Sequence, residues 1–408
     1  MKTKIKSILL ASGALLFAVC LLIMPTETVE ASKRGLDIWA NSVFPSLLPF
    51  FVTGELLIGF GVVHFIGVLF EPIMRPLFNV PGVGGFVWAI GMASGYPAGA
   101  NFTARMRQEG QISKVEAERL VAFTNASNPI FIIAVISVSF LKTPSLGFLL
   151  AGVHYGSNLL VGLIMRFYER NQTDVRNKEN RKGIWKRAFN TLHNTRITHN
   201  KPFGKLFGDA IIQSVETALM IGGFIIIFSV VSTVLIETGV LIWLSKVIST
   251  FFLIFNIPHI LTLPFSIGIF EITIGSQQIA AILNQSMMIN AMLISVLLAF
   301  NGLSVHAQVA SILANTDIRY HAYLYGRLIQ AGLAATLTLC LYPLIHVKSD
   351  SPIGQAIPVQ SPVTNDLWRV IIQFINQYGM LITITSLSVC FIILLYRVVK
   401  QNKRKSIV

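Results

Sequence analysis

The chain has 408 residues, of which 53% are hydrophobic and only 12% charged, with a mean hydropathy of +0.68. Water-soluble domains carry about 25% charged residues, so this composition excludes an ordinary soluble fold. The net charge of +14 does not point to nucleic acid, because Lys and Arg gather beside hydrophobic runs and lack the interleaved aromatics of a base-stacking surface.

Residues 5–24, 210–236, 288–300 and 379–396 are mostly uncharged runs, close to the roughly 20 residues that cross a hydrocarbon core. Backbone groups in lipid must bond within their own segment, so these runs predict helices. The alternation of transmembrane β-strands is absent. The expected fold is an all-α polytopic membrane protein.

Positive charge marks cytoplasmic loops, and that rule lays out the path. Residues 1–34 carry a first helix that runs outward after Lys2, Lys4 and Lys6. The small residues around Val29-Glu30-Ala31 leave this segment open to two readings, a cleaved signal peptide or a retained signal-anchor. A first repeat, 35–166, begins with Trp39–Phe60 returning inward. Residues 62–100, interrupted by Glu71, Pro72, Arg75 and Pro76, enter and leave by one side as a broken or re-entrant hairpin. Residues 120–141 then go out and 146–166 come back. The basic loop 167–208 is cytoplasmic.

The second repeat, 209–346, crosses outward at 210–236 and forms another broken hairpin at 240–282, around Pro258, Pro264 and Gly268. Residues 288–313 run inward and 322–346 outward. An extracytoplasmic Pro/Ser-rich linker, 347–370, leads to a last helix and basic tail, 371–408. About eight transmembrane helices and two broken hairpins result.

The two halves echo each other. Phe78-Asn79-Val80-Pro81 recurs as Phe255-Asn256-Ile257-Pro258, and Gly91, Ala122-Phe123 and Ser127 recur at the same spacing as Gly268, Ala299-Phe300 and Ser304. The first copy enters from outside and the second from inside, which makes an inverted-topology repeat. Discontinuous helices in matching positions of such repeats point to a transporter's binding site.

Three stretches carry the candidate substrate-binding residues. In the first hairpin, Ser94, Gly95, Tyr96, Pro97, Gly99 and Asn101 lie where Gly and Pro free backbone N–H groups, and a half-helix N-terminus attracts anions. The alternative is that small residues here only let helices pack closely. Asn125, Ser127 and Asn128 precede Pro129 inside a hydrophobic run, and Asn301, Ser304 and His306 are their counterparts. Such polar groups at membrane depth are either site residues or interhelical glue. Glu271 stands in an otherwise uncharged stretch, Ile267–Ile274, followed by Ser276 and Gln277. An acid there is a coupling-ion or proton site unless it lies at the rim. Glu55 and His154 are lesser candidates, and His193 and His199 fall in the basic loop.

Cys20, Cys340 and Cys390 stand alone without metal or disulfide spacing. No metal or cofactor is expected. Phosphate-binding P-loops, HExxH zinc motifs and nucleophile elbows are missing, so an enzyme is not expected.

Arg34-Gly35-Leu36-Asp37, Phe44-Pro45-Ser46-Leu47-Leu48-Pro49-Phe50-Phe51, the run Gly91–Ala100 and Phe123–Pro129 resemble the sporulation integral membrane proteins of the YlbJ type, over nearly the whole chain. The resemblance implies nucleoside-recognition gate domains, related to concentrative nucleoside transporters. It further implies a role in spore cortex formation, by moving dipicolinic acid out of the mother cell across the outer forespore membrane. Ala299-Phe300-Asn301-Gly302-Leu303-Ser304 is similar to the nucleoside transporters' substrate helix with Asn shifted by one place, while their Gln-Thr-Glu hairpin motif has no match around Ser94–Asn101. Dipicolinate is a flat dianion, and half-helix N-termini with Asn and Ser donors suit two carboxylates without a buried Lys or Arg.

The expected partners are a small-molecule anion and membrane lipid, with no nucleic acid, while homo-oligomer formation stays open. The alternatives to anion transport are a non-transporting scaffold for cortex assembly and a carrier of a nucleoside-like solute.

Overall fold

The computed structural model describes residues 2–169, 184–199, 202–283 and 285–344. The expected linker at 347–370 and last helix at 371–396 lie outside them. Among the described residues there is no strand, as the composition demands.

Helix α1 (Lys2–Ile23) is largely apolar beyond Lys6, and α2 (Pro25–Ile38) follows a sharp bend of 102°. Val29–Ala31 thus lies inside a helix, with Ala31 fully buried and its carbonyl accepting a 2.7 Å bond from Ser229. Helix α2 continues through a wide π-helical turn, Trp39–Val43, into α3 (Phe44–Gly59). Gly61, in the left-handed region at φ 77°, then turns the chain through 84° into α4 (Val62–Phe78). The expected first hairpin follows as α5 (Val83–Ser94) and α6 (Ala98–Gln108), and α7 (Lys114–Thr124) opens on a complete Ser113/Glu116 capping box.

The expected span 120–141 is not one helix. Helix α7 stops at Thr124, Asn125–Asn128 run non-helically, and a π-helix covers Phe131–Phe140. Pro129 lacks the N–H that would continue α7, and the joint is tolerated because it is enclosed by protein, with Asn125 and Ser127 at most 1% exposed. Helix α8 (Ser145–Met165) completes the first half, and the basic loop contains a further helix, α9 (Ile184–His199), packed by Phe189 and Trp185 on Phe65.

The helices after α9 follow a comparable order. Helix α10 (Phe203–Glu237) ends at the left-handed Gly239, which opens α11 (Val240–Ile254) as Gly61 opens α4. Asn256 (φ 52°) follows α11 as Asn79 (φ 55°) follows α4. A hairpin, α12 (Thr262–Phe270) and α13 (Ile272–Ala281), precedes α14 (Met287–Phe300), α15 (Gly302–Ala314) and α16 (Tyr320–Leu341).

Corresponding helices run against each other. Along α2–α3 and α10, Arg34 donates to Thr233 (3.1 Å) and Trp39 to the Ala218 carbonyl (2.9 Å), while Gly59 faces Leu206. One number rises as the other falls, so the two are antiparallel. Helices α8 and α16 are antiparallel as well, through Asn158–Arg327 (3.1 Å) and His154–Gln330 (3.1 Å).

Among the described residues, four helical stretches are long and apolar enough to cross a membrane, namely Ser145–Met165, Phe203–Glu237, Met287–Ala314 and Tyr320–Leu344, or up to six if each bent pair is one span. Several arginines gather where α6 and α7 meet the α15–α16 turn. There Arg107 forks onto Asp317 (2.9 and 2.8 Å) and Arg319 onto the buried Glu118 (2.9 and 2.8 Å), tying α6 and α7 to the α15–α16 turn. The Arg107 guanidinium holds the Asp317 carboxyl below its usual range.

Both hairpins close on small residues. A Cβ at Gly91 or Gly99 would land on the Thr124 carbonyl, and one at Gly275 on the Gly268 backbone. Gly91→Ala is therefore expected to destabilise the protein by about 1–3 kcal/mol. Gly152→Ala, whose Cβ meets nothing within 4 Å, is not. Thermal unfolding in detergent checks the pair, and equal midpoints would contradict this packing.

Candidate functional site

Four breaks in helices meet inside the bundle. Helix α5 ends at Ser94, Gly95 takes a left-handed φ of 92°, and α6 starts after a cis Tyr96–Pro97 bond. Helix α12 ends at Phe270, and Glu271 is extended (φ −140°, ψ 114°) before α13. The Asn125–Asn128 joint and the Asn301-Gly302 step (φ 76° and 64°) are the other two.

Each break frees backbone groups that need partners where water is scarce. Side chains supply several. Glu271 accepts from the Ile274 N–H (2.7 Å) and caps α13. Asn128 accepts from the Phe131 N–H (2.7 Å) and donates to the Ser94 carbonyl (3.2 Å), joining two breaks. The Ser127 N–H donates to His154 Nε2 (3.0 Å), and Tyr155 donates to the Ser127 carbonyl (2.9 Å).

The densest knot lies between the two Asn positions. Arg327, fully buried, donates to the Asn125 carbonyl (3.0 Å), to Asn158 Oδ1 (3.1 Å) and to the Ala122 carbonyl that α7 leaves unpaired. Its guanidinium lies 5.6 Å from the Tyr323 ring centre, and the Tyr323 hydroxyl receives Asn125 (3.2 Å) and Asn301 (3.0 Å). Asn301 also donates to the Asn125 carbonyl (3.3 Å). Arg327 is buried because chain breaks left carbonyls that a guanidinium fork can satisfy.

Beside this knot lies a cavity of about 230 Å³. Of the residues singled out in the sequence, Ser94, Gly95, Tyr96, Ser127, Asn128, Glu271 and Ser304 line it, joined by Thr273, Gln308 and an apolar wall. Helices α6 and α15 start beside it without side-chain caps, leaving partial positive charge at their first turns. The Ser94 hydroxyl is buried without a partner.

The other singled-out residues are elsewhere. Pro97 occupies the N-cap position of α6 without a capping bond, and Gly99 packs on Thr124. Asn125 and Asn301 belong to the knot, and His306 is held by Tyr320 (2.5 Å) and the Phe300 carbonyl (2.8 Å). Ser276 is buried away from the cavity wall, Gln277 is exposed, and Asn101 lines a different cavity. Sequence reasoning missed Arg327, Tyr323 and Gln308, and took Thr273 only as a polar neighbour of Glu271. Arg327 carried a signal, a lone charge in the expected span 322–346, by the rule that singled out Glu271.

Arg327→Met and Arg327→Lys are both expected to cost about 3 kcal/mol or more, since charged hydrogen bonds contribute roughly 1.5–3 kcal/mol each and Lys lacks the fork. A wild-type thermal midpoint for Arg327→Lys would show that charge alone suffices.

Comparison with known proteins follows this geometry. The Gate family, described as nucleoside recognition, matches residues 40–143. That stretch supplies Ser94–Tyr96 and Ser127–Asn128 of the cavity wall. No solved structure matches. The sporulation integral membrane protein YlbJ of Bacillus subtilis (strain 168) is 44% identical over 411 residues, covering 98% of this chain and 99% of that protein. The chain therefore belongs to the YlbJ family of sporulation integral membrane proteins.

Proposed function

We propose that the protein is a membrane transporter for a small organic anion, with dipicolinic acid as its substrate. It would move this solute out of the mother cell across the outer forespore membrane, supporting cortex formation. The observation that carries the reading is the cavity where helix breaks from both halves meet. A scaffold needs no such cavity, and broken helices cost stability that a purely structural protein would avoid. The antiparallel pairing of α3 with α10 and of α8 with α16 supports an inverted repeat, the architecture in which a central site is exposed to either side in turn.

The cavity chemistry suits a flat carboxylate. Apolar side chains such as Ile221, Ile225 and Phe131 offer surface to a ring, while Ser94, Asn128, Ser304 and two uncapped helix starts offer donors. Glu271 in the same wall is the proposed coupling group. Two like unit charges 4 Å apart repel by about 4 kcal/mol at an effective dielectric near 20, so a proton or cation must neutralise Glu271 when an anion binds.

Vesicles containing only this protein should accumulate labelled dipicolinate, and Asn128→Leu should slow uptake roughly tenfold, the equivalent of one lost hydrogen bond. Glu271→Gln should retain downhill exchange but lose its dependence on pH or on a cation. Uptake no faster than in empty vesicles would overturn the reading. Unchanged pH and cation dependence in Glu271→Gln would leave that residue only its role as the cap of α13.

A further inference from the structure

A second cavity, of about 210 Å³, lies on the same helices at the arginine-rich end. Its wall includes Glu55, Asn101, Arg105, Gln213, Glu216 and Asn315. Arg105 lies 3.9 Å from Glu55 and 2.9 Å from Glu109.

Helical spacing ties the two cavities together. Residues four apart share a helix face, and on three helices one stripe serves both. On α10, Ile225 and Ile221 line the first cavity, and Thr217 and Gln213 the second. On α15, Ser304 and Gln308 line the first and Ile312 the second. On α3, Leu47 lines the first and Glu55 the second, with Phe51 between them on the same stripe.

Little separates the two spaces. Ile221 and Met220 are chain neighbours on opposite sides of the division, and Gln308 and Ile312 are one turn apart, about 6 Å of rise. Phe51 is 1% exposed and packs edge-on to Phe102 at 6.2 Å. The Met220 sulfur lies 3.8 Å from the Ser311 hydroxyl.

We propose that the two cavities are compartments of a single solute route between α3, α10 and α15, closed in this structure by one layer of side chains, Phe51 and Met220. The second cavity is then the vestibule from which an organic anion reaches the central site. This rests on the transport reading but not on which solute is carried.

The test uses thiol accessibility in a full-length chain with Cys20, Cys340 and Cys390 replaced by Ser. Glu216→Cys reports on the vestibule and Val305→Cys on the central cavity. A membrane-impermeant cationic methanethiosulfonate reagent is applied from the side that the arginine-rich end faces. Glu216→Cys should react readily and Val305→Cys roughly tenfold or more slower. Adding Phe51→Ala should raise the Val305→Cys rate roughly tenfold while leaving Glu216→Cys within about twofold. Met220→Ala is the second variant should Phe51→Ala not elute as folded protein. Val305→Cys reacting as fast as Glu216→Cys without either substitution, or no faster with them, overturns the proposal. Since no substrate is used, the labelling pattern without dipicolinate uptake supports the route for another solute. Uptake without the pattern places the path elsewhere and overturns it.

Discussion

Backbone polar groups inside a membrane must find partners within the protein, and the middle of this structure is organised by that constraint. A helix broken at membrane depth exposes N–H and C=O groups whose unpaired burial costs several kcal/mol apiece. The chain breaks its helices at Gly95, Asn125–Asn128, Glu271 and Asn301-Gly302, and then brings the breaks together so that side chains can answer them. Arg327, His154 and Tyr155 on α16 and α8 each reach a backbone group of the Asn125–Asn128 joint or of the end of α7, while Tyr323 accepts from the Asn125 and Asn301 side chains. Because α8 and α16 lie antiparallel and are bonded through Asn158–Arg327 and His154–Gln330, the knot also fixes these two helices against each other.

A cavity is the natural by-product of such a meeting. Extended segments and first helical turns pack less evenly than continuous helices, and their polar groups point where no regular ladder uses them. The space beside the knot is walled by these segments on one side and by apolar faces of α3 and α10 on the other.

Much of this was legible locally. Gly, Pro and Asn mark the helix breaks, and the recurring Phe-Asn-x-Pro falls where the left-handed Asn79 and Asn256 follow α4 and α11. The seven singled-out residues lining the cavity lie at or beside breaks, where local sequence determines the backbone. What was not legible depends on distant partners. Arg327 finds its carbonyls 202 and 205 residues away, and nothing near it in sequence announces them. Gln277 is polar in an apolar region, as Thr273 is, but lies one turn farther along α13 and is already at the surface. Hydropathy read residues 120–141 as one crossing because composition averages over the joint at Asn125–Asn128 that divides it. Helix α9 was hidden by the high charge of its loop.

The central claim is that the cavity beside the Asn125–Asn301–Arg327 knot holds the transported anion. Equilibrium binding of labelled dipicolinate to the purified protein tests it without transport. Val305, in the cavity wall, is replaced by Trp to fill the space. The account predicts saturable binding to the native chain and its loss in Val305→Trp, provided the variant's thermal midpoint stays close to native. Native affinity in a folded Val305→Trp protein would contradict the account and place the anion elsewhere.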